Sequence, residues 1–232
     1  VTEGPVVEAS DLFGMGVALD GDADVLAVGV YYDQGFNERN TKIKKSGSVF
    51  MLAFDDTDFS GGKVVSRIGA GYRHNTTRCQ GGKCGTFEND FNTQNEPDLI
   101  LAKEDHFGRS VSLNHDGSLL AVGKEKDDGK DNSTKDAGAV QLFKFMNGGS
   151  IVSAATGKAT YVGTIGYGYD YLDTSDTSEH SVTHQATDLF GRALAFDKDA
   201  SHLAVGFNDK SSQGNKKKPG AVHLYTLTAD LA

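Results

Sequence analysis

The sequence has little of what several classes of protein require. Among its 232 residues are three prolines, two cysteines and no tryptophan, which excludes collagen-like chains and disulfide-dense miniproteins. No apolar run approaches the roughly 20 residues of a membrane-spanning helix, so no membrane insertion is expected. Acidic residues outnumber basic ones, 32 to 23, and a net charge of −9 argues against nucleic acid as a partner.

Three related segments organise the chain. They are DLFGMGVALDGDADVLAVGV from Asp11, DHFGRSVSLNHDGSLLAVGK from Asp105 and DLFGRALAFDKDASHLAVGF from Asp188. In each, the Leu of LAVG follows the Phe of FG by thirteen residues. After a polar loop each segment resumes with a glycine-led apolar run, from Gly47, Gly138 and Gly220. Such self-similarity predicts a repeat architecture.

The hydrophobic period inside these segments is two, which indicates strands. Phe190, Arg192 and Leu194 share one face while Gly191 and Ala193 share the other, so one face is bulky and the other small. The small face permits close stacking of sheets, and turn residues between the first two strands predict an antiparallel meander. Two sets of runs are candidates for a fourth strand: those after the repeats, from Gly62 and Gly157, and those leading into FG, from Gly4, Pro97 and His180.

The order of D-x-FG, a turn, LAVG, a polar loop and GAV resembles the FG-GAP repeat of integrin-like β-propellers. The Phe-Gly pairs of the three repeats carry the resemblance: Phe13–Gly14, Phe107–Gly108 and Phe190–Gly191. It implies an all-β fold of three four-stranded antiparallel blades in an incomplete or oligomer-completed propeller. It also implies adhesion or ligand binding.

We expect a single repeat domain over 1–232. Its parts are blade 1 at about 11–72, an insertion at 73–96, blade 2 at about 97–171, an insertion at 172–180 and blade 3 at about 181–232. Residues 1–10 would supply a closing or donated strand through Pro5, Val6 and Val7.

Three blades are too few to close a propeller ring, and the third repeat has no run left for an outer strand. We therefore expect the chain to associate with itself, as a ring or as a filament. The same blade count would suit a fragment of a longer propeller. It would also suit a carbohydrate- or ligand-binding propeller, whose partners would be glycans or surface proteins.

Some integrin-type blades hold calcium in a D-x-(D/N)-x-D-G-x-x-D loop. Here Asp20, Asp22 and Asp24 give only a shortened version of that pattern. The expectation is therefore no cofactor, with calcium at these three residues as the alternative.

Two sequons, at Asn75 and Asn132, and a closely spaced pair, Cys79 and Cys84, favour an extracellular or cell-surface glycoprotein. A structural disulfide is the preferred interpretation of the cysteines. The alternatives are a free thiol pair and a metal site, for which His74 is the only nearby further ligand.

Nothing in the sequence favours an enzyme, since no G-x-S-x-G motif occurs and the seven histidines are scattered. Tyr167, Tyr169 and Tyr171 alternate on one face, either as a sugar-stacking platform or as ordinary cross-strand packing. Glu125, Asp127 and Asp128 are expected in a solvated acidic patch that could meet basic loops of a neighbouring subunit; the alternative is that those basic loops are only solvated.

Overall fold

The computed structural model describes residues 7–37, 39, 41–72, 89–169, 186–207 and 220–227. Regular structure in these ranges is almost entirely β. Two single turns of 3₁₀ helix, Thr93–Asn95 and Pro97–Leu99, precede the second FG pair. In the part of the chain that is described, no helix is long and apolar enough to cross a membrane.

Among the described residues, the first region of the chain contains seven strands: β1 (Phe13–Leu19), β2 (Val25–Val30), β3 (Gly35–Phe36), β4 (Lys42–Ile43), β5 (Ser48–Ala53), β6 (Lys63–Gly69) and β7 (Phe91–Asn92). The first sheet is an antiparallel meander of four of these strands with a short fifth strand added in parallel, in the order β1-β2-β5-β6-β7. A separate two-stranded ribbon pairs β3 with β4.

The second sheet repeats this meander, and the third repeats its first three strands within the described residues. The second contains β8 (Phe107–Leu113), β9 (Leu119–Lys124), β10 (Ala139–Asn147), β11 (Ser150–Ile151) and β12 (Lys158–Gly166). The third contains β13 (Ala193–Phe196), β14 (His202–Phe207) and β15 (Ala221–Thr226). Strands β1 and β8 lie against each other, as do β8 and β13.

The outer strands come from the runs that follow each repeat. β6 pairs with β5, and β12 pairs with β10, each with a register shift at an equivalent position, Met51/Leu52 and Leu142/Phe143. The run from Pro97 instead forms a 3₁₀ turn and a loop. The sequence did not decide between the two candidate sets for the fourth strand, because both contain β-branched residues. The runs that follow the repeats, from Gly62 and Gly157, are long enough to pair along a whole neighbouring strand.

Apolar side chains fill the spaces between neighbouring sheets. One core joins Ala27, Val49 and Met51 of the first sheet to Phe107 and Val111 of the second. Another joins the second sheet to the third, through Ala121, Val140 and Leu142 against Phe190 and Leu203. Where two sheets meet, each covers the facing side of the other, and the second sheet, which has a neighbour on either side, is buried on both faces.

Glycines set how closely neighbouring sheets approach. A Cβ placed on Gly29, the last residue of the first LAVG, would lie 1.9 Å from the carbonyl oxygen of Gly108. The equivalent Cβ on Gly123 would lie 2.0 Å from the carbonyl oxygen of Gly191. Since no side chain fits such a gap, the LAVG glycine accepts the backbone of the next FG pair.

Backbone hydrogen bonds fasten the second and third FG pairs to the preceding sheet. The N–H of Phe107 donates to the carbonyl of Ser46, and the N–H of Phe190 donates to that of Ala137, both at 2.9 Å. His106 and Leu189 donate to the next carbonyl back, of Lys45 and Asp136, at 3.3 and 3.1 Å. We call this repeated arrangement of an FG pair on a preceding sheet the joint.

The tightness of the joint predicts that alanine substitutions at two glycines with similar φ will lower the free energy of unfolding by different amounts. Gly108 has φ +84° and its Cβ would lie 2.4 Å from the carbonyl oxygen of Ser48, whereas Gly149 has φ +89° and open space around it. We expect Gly149→Ala to lower the free energy of unfolding by about 1–2 kcal/mol, from the left-handed backbone alone. Gly108→Ala should cost about 1–3 kcal/mol more, because the joint is overpacked. Urea unfolding followed by circular dichroism measures both, and equal losses would contradict the proposed tightness of the joint.

Candidate functional site

The two ends of the row of sheets expose surfaces whose equivalents in the other repeats are buried between sheets. Phe107 and Phe190 are fully buried, but the equivalent Phe13 is 41% exposed. On the same face of β1, Met15, Val17 and Leu19 are exposed as well. We call this apolar surface of the first sheet the head face.

The third sheet exposes the opposite half of a joint. Val222 and Leu224 are 64% and 76% exposed. Their repeat equivalents, Val49 and Met51 in the first sheet and Val140 and Leu142 in the second, are at most 3% exposed. We call this surface of β13, β14 and β15 the tail face. An exposed apolar surface of this kind marks an interaction site.

The segment that leads into the head face holds the backbone conformation of a joint. Ser10 and Leu12 have φ of +80° and +57°, and their equivalents Glu104 and His106, which donate to the preceding sheet, have +67° and +62°. A carboxylate oxygen of Asp11 accepts the Glu8 N–H at 2.6 Å, as Asp105 accepts that of Ala102. Left-handed non-glycine residues persist only where surrounding contacts fix them, so this segment is preorganised.

A polar cluster lies where the three sheets meet, and its centre is the buried side chain of Glu125. Tyr31 of the first sheet donates its hydroxyl to Oε1 at 2.7 Å. Nε of Arg109 and Nε of Arg192 lie 3.5 and 3.7 Å from Oε2. His106 packs its ring against Tyr31, with centroids 4.2 Å apart, and its Nδ1 is 3.6 Å from Oε1. One carboxylate is therefore shared by groups from all three sheets.

The surroundings keep Glu125 ionised. Burial alone would raise its pKa, but the neighbouring His106 and Tyr31 side chains and the two guanidinium charges outweigh it and lower the pKa. Burial and this same carboxylate raise the pKa of Tyr31, so its phenol remains a donor. The expectation that Glu125 lies in a solvated acidic patch is wrong, because the joint encloses it.

A second buried charge network surrounds Lys124, the residue that follows LAVG in the second repeat. The Lys124 ammonium pairs with Asp127 and lies 3.3 Å from Asp105 Oδ2. Tyr169 donates its hydroxyl to Asp127 at 3.2 Å. Burial alone would lower the pKa of Lys124, yet the two carboxylates outweigh it and raise the pKa. Asp127 is also buried, so its carboxylate does not belong to an acidic surface patch.

The residues considered for calcium form the turn between β1 and β2. Oδ1 of Asp20 accepts the N–H groups of Asp24 and Val25, both at 3.1 Å. Asn114 and Asp197 accept from the residue five positions later in the same way. Asp22 is exposed. The His202 and Ser201 side chains lower the pKa of Asp197 to about 2, which is what a hydrogen-bonded turn acceptor shows.

These side chains thus close turns in every repeat. Within the described ranges, no group of three or more His, Cys, Asp or Glu residues is placed to hold a metal ion.

The remaining predicted residues are placed as follows. Tyr167 is exposed, Tyr169 is turned towards Asp127, and Tyr171 lies outside the described residues. Asn132 is exposed in the loop between β9 and β10, and Val7 is exposed ahead of the head face. The predictions for Pro5, Val6, Asn75, Cys79 and Cys84 also fall outside the described residues.

Sequence reasoning missed the Glu125 cluster because its members come from three repeats and are far apart in the chain. The available signal was the equivalent placement of Arg109 and Arg192, each two residues after the Phe of FG. Equivalent positions in the repeat predicted that the two arginines would lie at corresponding places in adjacent sheets. They did not predict which acidic side chain would face them.

The second and third sheets each insert a Phe-Gly pair into the preceding sheet, so the described chain is a repeat of antiparallel sheets with a propeller-like β fold. Residues 101–143 match the family model of the FG-GAP repeat. The resemblance is therefore confirmed for the segment that runs from the lead-in of β8 into β10. A comparison with curated proteins found no match.

Solved structures similar to this chain include that of U3-55K, at 12% identity and a TM-score of 0.40, covering 91% of this chain and 41% of the other. Another is the Pseudomonas aeruginosa periplasmic gluconolactonase PpgL, at 15% identity and a TM-score of 0.35, covering 88% and 39%. The chain spans about two fifths of the length of these two proteins.

The turn geometry predicts a difference between two neighbouring acids. We expect Asp20→Ala to lower the free energy of unfolding by about 1–2 kcal/mol, because two backbone N–H groups lose their acceptor. Asp22→Ala should change it by less than about 0.5 kcal/mol, since that side chain is exposed. Urea unfolding in calcium-free buffer measures both. Equal losses, or a loss in Asp22→Ala that appears only with added calcium, would contradict the turn-closing role.

The buried network predicts that Lys124→Met is strongly destabilising. Two buried carboxylates, of Asp105 and Asp127, would lose their cation, at an expected cost of about 3–5 kcal/mol. Lys158→Met, on the exposed side of β12, is the matched control and should be near neutral. Thermal or urea unfolding measures the difference. Adding Asp127→Asn to Lys124→Met should recover part of the loss, and no recovery would show that the charge is not its cause.

Proposed function

We propose that this chain is a non-enzymatic structural module that assembles head to tail, the head face of one copy forming a joint with the tail face of another. The observation that supports this proposal most directly is the exposure pattern. Surfaces that are buried at both internal joints are exposed at the two ends of the row of sheets.

The tail face offers the receiving half of the joint. Gly206 occupies the place of Gly29 and Gly123, and a Cβ on it would meet only Ala193, at 3.2 Å, instead of a following FG backbone. The space that an FG pair fills at the two internal joints is therefore open here. Small residues, Ala193 and Ala195, are exposed beside it on β13.

The head face offers the inserting half. Gly14 has φ +92°, close to the +84° and +85° of Gly108 and Gly191, and nothing lies within 4 Å of where its Cβ would be. Phe13 packs edge-on against Phe50 of its own sheet, with ring centroids 5.9 Å apart, and leaves the rest of its surface free. Because Ser10 and Leu12 already hold the joint conformation, docking requires little ordering of the backbone.

A contact between two different faces is heterologous, so its repetition gives either a closed ring or an open filament. We propose an extracellular or cell-surface setting for this assembly, with an adhesive or scaffolding role. The FG-GAP repeat and the exposed sequon residue Asn132 support that setting.

A carbohydrate-binding propeller is the alternative function. Of the proposed stacking tyrosines, Tyr167 is exposed, while Tyr169 is held by Asp127. A flat platform would need both rings on the surface, so these contacts favour the structural role over the sugar platform.

The proposal predicts that Gly14→Ala prevents self-association without unfolding the chain. In a joint between copies its Cβ would fall where those of Gly108 and Gly191 lie, 2.4 and 2.5 Å from a carbonyl oxygen of the preceding sheet. Gly149→Ala is the matched control, since it has nearly the same φ and equally open space but lies in the β10–β11 turn. Multi-angle light scattering and negative-stain electron microscopy should show assemblies for wild type and control, and monomers for Gly14→Ala.

Two outcomes would overturn the proposal. A wild-type chain that stays monomeric over a wide concentration range would show that the head face and the tail face do not bind each other. Assemblies of Gly14→Ala that match those of Gly149→Ala would show that association uses another surface.

A further inference from the structure

The Glu125 cluster contains more cationic groups than its single carboxylate can pair. Arg109 and Arg192 approach the same oxygen, Oε2, through their Nε atoms. Neither guanidinium has another acidic partner among the described residues. The two arginine side chains remain 21% and 38% exposed, so their outward donors can be reached from solvent.

The charge balance at this point has the opposite sign from the chain as a whole. Two guanidinium groups against one carboxylate leave an excess positive charge, although the chain carries −9. Two like charges converging on one oxygen repel each other, and an additional anion would relieve that repulsion.

His106 supplies a second and independent observation. Its side chain is 5% exposed, and its Nε2 has no hydrogen-bond partner among the described residues. A buried polar atom normally has such a partner, so this unpaired ring nitrogen leaves the hydrogen bonding of the Glu125 cluster incomplete.

The chemistry of the accessible groups selects the ligand. Arginine has five N–H donors and no acceptor, and its planar fork matches an oxyanion. The ring faces of Tyr31 and Tyr32 are covered by each other, by His106 and by the ammonium of Lys45, 4.4 Å from the Tyr32 centroid. This cluster therefore has no free aromatic face on which a sugar ring could stack.

We propose that Arg109 and Arg192, at the meeting of the three sheets, form a binding site for a carboxylate or sulfate group. Glu125 holds the two guanidinium groups side by side by sharing one oxygen between them. The incoming oxyanion binds on their solvent side through the terminal N–H groups. This site lies inside one chain, so it does not depend on the proposed self-association.

The test is a titration with sodium sulfate, and separately with sodium succinate, at constant ionic strength kept with sodium chloride. Binding is followed by isothermal titration calorimetry and by the rise in melting temperature. We expect saturable binding by the wild-type chain and at least about tenfold weaker binding by Arg192→Gln, which loses one fork. Arg39→Gln, at an exposed position between β3 and β4, is the matched control and should bind as wild type does.

Glu125→Gln provides a second test, in which both arginines that would contact the ligand are kept. It keeps the shape of the side chain but removes the internal anion that competes with the ligand. We expect this variant to melt at a lower temperature without sulfate and to bind sulfate about tenfold more tightly than wild type. A purely structural salt bridge would lower the melting temperature in the same way, but added sulfate would not restore it.

The proposal is overturned if sulfate and succinate act no differently from chloride on wild type and on Glu125→Gln. It is also overturned if folded Arg192→Gln, checked by circular dichroism, binds as tightly as Arg39→Gln. Binding of sulfate alone supports an oxyanion site selective for sulfate, and binding of both anions supports a general one.

Discussion

The close approach of an FG backbone to the glycines of the preceding sheet is the constraint that shapes everything else in the fold. Gly29 and Gly123 leave no space for a side chain because the carbonyls of Gly108 and Gly191 lie there. Once the backbones are this close, Phe107 and Phe190 are enclosed, and the small faces of β1 and β8 meet the bulky faces of β8 and β13. Hydrogen bonds from the same segments then fix the register between sheets.

The same constraint explains why the ends of the row are chemically distinct. A joint has an inserting half and a receiving half, so a row of sheets leaves one of each exposed. Phe13 and Gly14 lie on one end, and Val222, Leu224 and Gly206 lie on the other. The apolar exposure of these residues follows directly from the repeat, and their complementarity is that of an interface the chain already forms twice.

The joints also create the polar chemistry of the molecule. Because Arg192 follows the third FG by the same interval as Arg109 follows the second, stacking the sheets brings both guanidinium groups to Glu125. Lys124, Asp105 and Asp127 are enclosed by the same packing, and they tie the start of β8 to the end of β9. Charged groups therefore lie inside the protein where the repeat geometry pairs them, as burial of ionised side chains requires.

The order of residues was enough to predict the local structure. The alternation of Phe190, Arg192 and Leu194 with small residues predicted the strands, and the turn residues between the first two strands of each repeat predicted the meander. Both are local properties, since side chains alternate along any strand and turns depend on a few neighbouring residues. The packing of the sheets decided which runs became the outer strands and that Glu125 and Asp127 are buried. It also brought Tyr31, His106 and Arg192 together, because these contacts depend on the stacking of sheets whose residues are far apart in the chain.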